Sequence, residues 1–246
     1  MLMSRTTIFP ARNLLLAALP ASELEHFSRH LEPVSMPLGA ILCECGLEQP
    51  YVYFPTGGIV SLLYLMADGH SAEIAAVGRE GMIGVHHFTG SKCTANRAVV
   101  RSGGTAYRLS SRVLKTEFDL GQSLQRILLR YSHARFTQAS MTAACNRHHT
   151  LDQQLCRALL HSLDCLLSNQ LNMTQELIAG MLGVRREGVT MAAQRLQAAG
   201  LIKYSRGRIS VLSREGLEAR CCECYGVVRN EFGRLLPSPA QIARAA

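Results

Sequence analysis

Residues 182–200 read LGVRREGVTMAAQRLQAAG, with Arg185 and Arg186 adjacent and Glu187, Thr190 and Met191 close behind. A guanidinium is a planar, permanently charged fork that holds a phosphate or a guanine edge through two parallel hydrogen bonds. At helical spacing Val189, Ala192, Ala193 and Leu196 fall on one side, while Arg186, Thr190 and Gln197 fall on another. A helix from about Arg186 to Ala199 would therefore bury a stripe of small apolar groups. It would present arginine and a hydroxyl at its N-terminal end, the end that a recognition helix turns toward base edges.

The flanking residues supply what such a helix needs. Thr174 is a predicted N-cap for QELIAGML, with Glu176 in the first turn, where the helix dipole favours a carboxylate. Leu177, Ile178, Met181 and Leu182 make its apolar face, and Gly183 follows where a tight turn needs a left-handed residue. Gly200 ends the second helix. LIKYSRGRISVL then reads as a β-hairpin turning near Ser205-Arg206-Gly207, with Lys203, Arg206 and Arg208 placed for phosphates. Residues 171–214 hold seven basic side chains against two acidic ones, so over half of the chain's formal charge of +8 sits in under a fifth of its length. Helix, glycine turn, helix and basic wing together point to double-stranded DNA.

The whole chain has 246 residues, 48% of them apolar, which suits a soluble globular protein of one large or two modest domains. No apolar run is long enough to cross a bilayer. The N-terminal apolar patch is short and followed at once by charges, so it predicts an amphipathic helix and a cytoplasmic protein. Of the 26 basic residues 23 are arginine. No phosphate-binding loop, nucleophile elbow, H-E-x-x-H or paired acid–base carboxylates occur, so no catalytic residue is assigned and an enzyme is not expected.

Ahead of the basic segment the texture changes twice. Residues 11–31 read as one or two short helices, with Pro20 a stop and Ser22 a new N-cap. From Val34 to about Leu109 short Val-, Ile-, Leu- and Tyr-rich runs alternate with turn residues, and Asp68-Gly69 is a hairpin signal between two of them. Such strands predict a sandwich or barrel. Residues 111–119 predict a short helix and residues 121–147 a long one of about 40 Å. Leu124, Ile127, Leu128, Tyr131, Ala134, Gln138, Met141 and Cys145 line one side of it. This seam predicts pairing with a second copy, the alternative being packing on its own domain. Thr150 is a candidate cap for the helix at 151–168.

Nine cysteines are present, an odd number without matching C-x-x-C pairs, so neither a disulfide framework nor a metal site is expected. Cys145, Cys156 and Cys165 fall in helical patterns as small core residues. Cys221-Cys222-Glu223-Cys224 is the one group dense enough to raise metal or redox chemistry.

The chain resembles the Crp/Fnr family of bacterial transcription regulators over about residues 14–225. The likeness is strongest in MTQELIAGMLGVRREGVTMAAQRLQAAGLIKYSRGRISVL and clear in LGAILCECG, YVYFPTGGIVSLL and VGREGMIGV. It implies an α+β protein: an N-terminal double-stranded β-helix (a β-roll or jelly-roll effector domain), a long dimerisation helix and a C-terminal winged helix-turn-helix. The corresponding ranges are 11–119, 120–148 and 149–225, with 226–246 as a tail. By this resemblance Thr174 and Gln175 touch phosphate, and Arg186 and Glu187 read a G·C pair. Arg185 replaces the family's frequent serine cap. Met191 stands where the cyclic-AMP receptor protein has a second base-reading arginine, which implies a different half-site. The expected partners are duplex DNA, a second copy of the chain and, for an activator, RNA polymerase.

In the effector domain the family's cyclic-nucleotide cassette aligns with GMIGVHHFTGSKCTANRAVV, which makes Gly84, Val85, Arg97 and Ala98 the candidate effector residues. Val85 stands where the ribose-binding glutamate belongs, which argues against cyclic AMP. No cysteine precedes Cys43, which argues against an N-terminal iron–sulfur cluster. His86, His87, His148 and His149 are the only hint of haem, and no cofactor is assigned. The alternative function is a non-enzymatic β-roll scaffold whose helical C-terminal domain docks a protein.

Overall fold

The computed structural model describes residues 12–69, 71–166 and 168–236, so the extreme N-terminus and the end of the tail lie outside the described residues. Asn13 is fully buried and caps helix α1 (Leu14–Ala17), its Oδ1 accepting from the Leu15 and Leu16 amides. Its Nδ2 donates to the Pro55 and Gly81 carbonyls at 2.8 and 2.9 Å, which ties α1 to the sheets. Helix α2 (Ala21–Ser28) follows with Pro20 in the N-cap place. Ser22 therefore lies inside the first turn and is not the cap: proline's fixed φ suits helix entry and needs no side-chain bond.

Among the described residues seven antiparallel strands form the roll: β1 (Glu32–Met36), β2 (Ile41–Cys43), β3 (Tyr51–Pro55), β4 (Ile59–Leu65), β5 (Ser71–Val77), β6 (Arg97–Ser102) and β7 (Gly104–Ser110). They build two sheets, β1-β7-β3 and β2-β6-β4-β5. Asp68-Gly69 lies between β4 and β5, which pair with Val60 opposite Val77. Met36, Val60, Val77, Ile83 and Val100 pack in one buried cluster, the inward positions of alternating strands.

Helix α3 (Ser111–Asp119) leads into α4 (Ser123–His148), 26 residues long. Leu124, Leu128, Tyr131, Ala134, Gln138, Thr142 and Cys145 are all buried on it. The predicted seam is thus real, but this chain itself covers it. The roll covers one stretch: the Tyr131 hydroxyl donates to the Met82 carbonyl and accepts from the Met82 amide, both at 3.0 Å. A Cβ on Gly81 would overlap that phenol, so the glycine is what lets the helix approach. Helix α9 (Glu223–Leu235) covers the rest, running back along α4, with Phe232 edge-on to Tyr131 and Cys222 beside Cys145. Residues read as the start of a tail are part of this helix. Helical periodicity reports that a face is buried and not what buries it, so the seam alone could not separate a second copy from α9.

The C-terminal region comprises α5 (Leu151–Leu166), β8 (Gln170–Asn172), α6 (Gln175–Leu182), α7 (Arg186–Ala198), β9 (Ile202–Ser205), β10 (Arg208–Val211) and α8 (Arg214–Arg220), followed by α9. Thr150 caps α5 reciprocally with Gln153: each amide donates to the other's side-chain oxygen, at 3.0 and 3.4 Å. Leu155, Leu159, Ile178, Val189, Leu196, Ile209 and Leu217 join in one core, so both helices of the motif and the wing rest on α5 and α8. No helix among the described residues is long and apolar enough to cross a membrane.

Candidate nucleic-acid interface

Local chemistry sets the motif's geometry. The Thr174 hydroxyl accepts from the Leu177 amide at 3.1 Å and caps α6. Gly183 ends α6 at φ +66°, a left-handed conformation that costs glycine nothing, and α7 begins three residues later. Arg185 takes the N-cap place of α7 without a side-chain bond, so its guanidinium stays available. The Thr190 hydroxyl lies 2.9 Å from Gln175 Oε1 and 3.1 Å from the Arg186 carbonyl, linking the start of α6 to α7. At the other end Gln197 Oε1 accepts from the Tyr204 amide at 2.8 Å, and the Tyr204 hydroxyl donates to the Met173 carbonyl. Both helices and the wing are therefore joined by side-chain bonds as well as by the core.

The wing turn is Arg206-Gly207, with φ of +48° and +76°. Two consecutive positive φ values make the tight primed turn that matches strand twist. Arg206 pays a small conformational cost to stand at the tip. Between wing and helices lies an open groove of about 540 Å³, bordered by Thr174, Gln175, Arg186, Tyr204 and Arg206. Met191 is 57% exposed on the outer face of α7.

Ion pairing sorts the seven basic residues of 171–214. Arg195 grips Asp152 with Nε and Nη2 at 2.8 and 2.5 Å, and Arg214 holds Asp164 and Glu218. These two fasten α7 and α8 to neighbouring elements. Arg185, Arg186, Lys203, Arg206 and Arg208 have no carboxylate partner among the described residues, and Glu187 has no cation. The unpaired charges sit at the start of α7 and on the wing; Arg186 and Arg206 border the groove, with Glu176 also on its rim.

In the roll, Gly84, Val85 and Ala98 line a cavity of about 260 Å³ together with Cys43, Leu62, Met82 and His86. Arg97 is not among the lining residues. Neighbouring strand residues point to opposite faces, so with Ala98 turned inward Arg97 turns out, where its Nε donates to Glu44 at 2.8 Å. Burial pushes the His86 imidazole down to about 4, which leaves it neutral at pH 7. The cavity thus lacks the cation that a cyclic phosphate needs.

Roll and motif meet through side chains that sequence reasoning did not single out. Arg101, 4% exposed, donates Nη1 to Glu73 at 3.1 Å, Nη2 to Ser162 Oγ at 3.1 Å, and approaches Met181 Sδ at 3.0 Å. One guanidinium so touches β5, α5 and α6. Arg135 reaches the Ala76 carbonyl and Gln138 Oε1, while Gln138 Nε2 lies 2.9 Å from His161 Nε2. Tyr204, which lines the groove, was not singled out either. Cys145, His149, Cys222 and Cys224 also converge. Cys145 is in the last turn of α4 and His149 is the extended residue that caps it, so helical spacing alone does not bring them together.

Residues 153–220 match the model of the Crp-like helix-turn-helix domain. No curated protein sequence matches the chain. Among solved structures, FixK2 from Bradyrhizobium japonicum is similar with a TM-score of 0.68 at 16% identity, over 78% of this chain and 98% of that one. The c-di-GMP responsive global regulator CLP from Xanthomonas campestris gives 0.62 at 19%, over 79% and 100%. A CRP/FNR-family transcriptional regulator from Thermus thermophilus gives 0.62 at 21%, over 77% and 97%. Residues 153–220 are a Crp-like helix-turn-helix domain, and the chain as a whole has the fold of the Crp/Fnr-type transcription regulators.

Proposed function

We propose that the protein is a sequence-specific DNA-binding transcription regulator. The observation that carries this reading is the division of charge at the motif. Two of seven basic side chains are held by carboxylates; the other five lie at the start of α7 and on the wing, and two of these, Arg186 and Arg206, line the groove between them. On this reading Arg186 and Glu187 meet a base pair, Arg186 on guanine and Glu187 on the cytosine amino group. Arg185 and Thr190 lie beside them, and Met191 offers an apolar contact to a thymine methyl. Thr174, Gln175, Lys203, Arg206 and Arg208 hold phosphates and set register.

The regulator acts as a homodimer that places two α7 helices one helical turn apart on a near-palindromic site. Since α9 and the roll cover the inner seam of α4, the second copy uses the outer stripe. Leu129 and Phe136, 52% and 70% exposed and two turns apart, are its apolar centre. The roll cavity holds no cyclic nucleotide, and any effector is a small ligand of low charge. A titration of one duplex across a series of salt concentrations tests the reading. Phosphate contacts release counterions, so affinity should fall by orders of magnitude between 50 and 200 mM salt. Absent or salt-independent binding would favour a protein-docking module instead.

A further inference from the structure

At the joint between α4 and the winged region, four metal-ligating side chains from two distant segments point at one another. Cys145 lies in the last turn of α4 and His149 is the extended residue that caps it, while Cys222 caps α9 and Cys224 lies in its first turn. Their ligand atoms all lie within 4.8 Å of one another. Cys145 Sγ is 3.5 Å from Cys222 Sγ, and Cys224 Sγ is 3.6 Å from His149 Nδ1. In a tetrahedral zinc site with bonds of about 2.3 Å to sulfur and 2.0 Å to nitrogen, ligand atoms stand about 3.5–3.8 Å apart. The three sulfurs are buried or nearly so, and the imidazole is partly buried.

We propose that Cys145, His149, Cys222 and Cys224 bind one zinc ion in a closed, structural site. Three thiolates and an imidazole are the soft donor set that selects zinc over magnesium or calcium. With Nδ1 turned to the cysteines, His149 Nε2 lies 3.3 Å from Glu223 Oε1, the outer carboxylate that commonly orients a zinc-bound histidine. A complex of this composition carries a net negative charge. The N-terminus of the 13-residue α9 lies against it, and Arg157 of α5, whose Nη1 donates to Thr142 at 3.2 Å three residues before Cys145, has a buried Nε with no hydrogen-bond partner in the structure. Cys221 is turned away toward the Gln153 carbonyl and is not a ligand. Zinc here would clamp α9 to α4 where the chain passes into α5. The site is independent of how the protein meets DNA.

The test uses the full-length protein, made with zinc in the medium, purified reduced and passed into metal-free buffer. The proposal expects about one zinc per chain by elemental analysis. After stripping, cobalt(II) should produce the intense thiolate-to-cobalt charge-transfer and ligand-field bands of a tetrahedral site. Cys222→Ser should lose most of the metal and these bands, whereas Cys221→Ser should keep both. Cys165→Ser should also keep both, which separates this site from the neighbouring group of Glu80, His161 and Cys165. If Cys222→Ser does not fold, the wild-type spectrum and Cys224→His, which keeps four donors, decide. Substoichiometric zinc without cobalt bands would overturn the proposal. So would loss of metal in Cys165→Ser alone, or a Cys145–Cys222 disulfide in place of metal.

Discussion

The three arginines on roll strands and the arginines of the winged motif are put to opposite uses. Arg97, Arg101 and Arg108 each face a glutamate, Glu44, Glu73 and Glu32 in turn. In the motif, Arg185, Arg186, Arg206 and Arg208 face none among the described residues, although Arg195 and Arg214 in the same region are paired. A guanidinium matched to a carboxylate inside the fold is held there, and one left unmatched keeps its donors for solvent or, on the proposed reading, for phosphate and base edges. Total charge cannot make this distinction, because both kinds count equally in the +8.

The sharpest way to break the comparison is at Arg101. Replacing it with alanine strands Glu73, whose side chain is only 12% exposed and which also accepts from Ser61. Losing one partner of a buried pair costs ~3–5 kcal/mol, read as a lower urea midpoint. Arg186→Ala comes next and should act on DNA alone. It should weaken binding by ~1–3 kcal/mol and relax one base position, with an unchanged urea midpoint. Arg206→Gly is milder still on DNA. It should weaken all sequences alike and reduce the salt slope by about one. Because Arg206 already sits at φ +48°, glycine there should leave stability unchanged or slightly raised. Arg97→Ala is the smallest. Its partly exposed pair with Glu44 should be worth under ~1 kcal/mol, and DNA affinity should not move. An Arg97 effect on DNA as large as that of Arg186 would dissolve the distinction.

Signals carried by neighbouring residues were legible in the sequence. The Thr174 cap, the Gly183 turn, the Arg206-Gly207 wing tip and the Asp68-Gly69 hairpin each depend on a few adjacent positions, and each stands where the spacing places it. Partners far apart in the chain were not legible. Arg195 finds Asp152 across 43 positions, and Cys145 meets Cys222 across 77. Helix α9 was hidden for the same reason. Its apolar residues Val228 and Phe232 fall in the stretch read as a tail, until α4 stands opposite them. The candidate effector residues show a middle case: alternation along β6 separates Arg97 from Ala98, but only the sheet order tells which of the two faces inward.

The most direct measurement is selection of bound duplexes from a random library by the purified wild-type protein and by Arg186→Ala, without added ligand. A two-fold symmetric motif with half-sites about one turn apart, losing one base preference per half-site in the mutant, is the predicted result. The same motif from both proteins, or unpatterned DNA from the wild type, would contradict the assignment of the free arginines of α7 to base recognition.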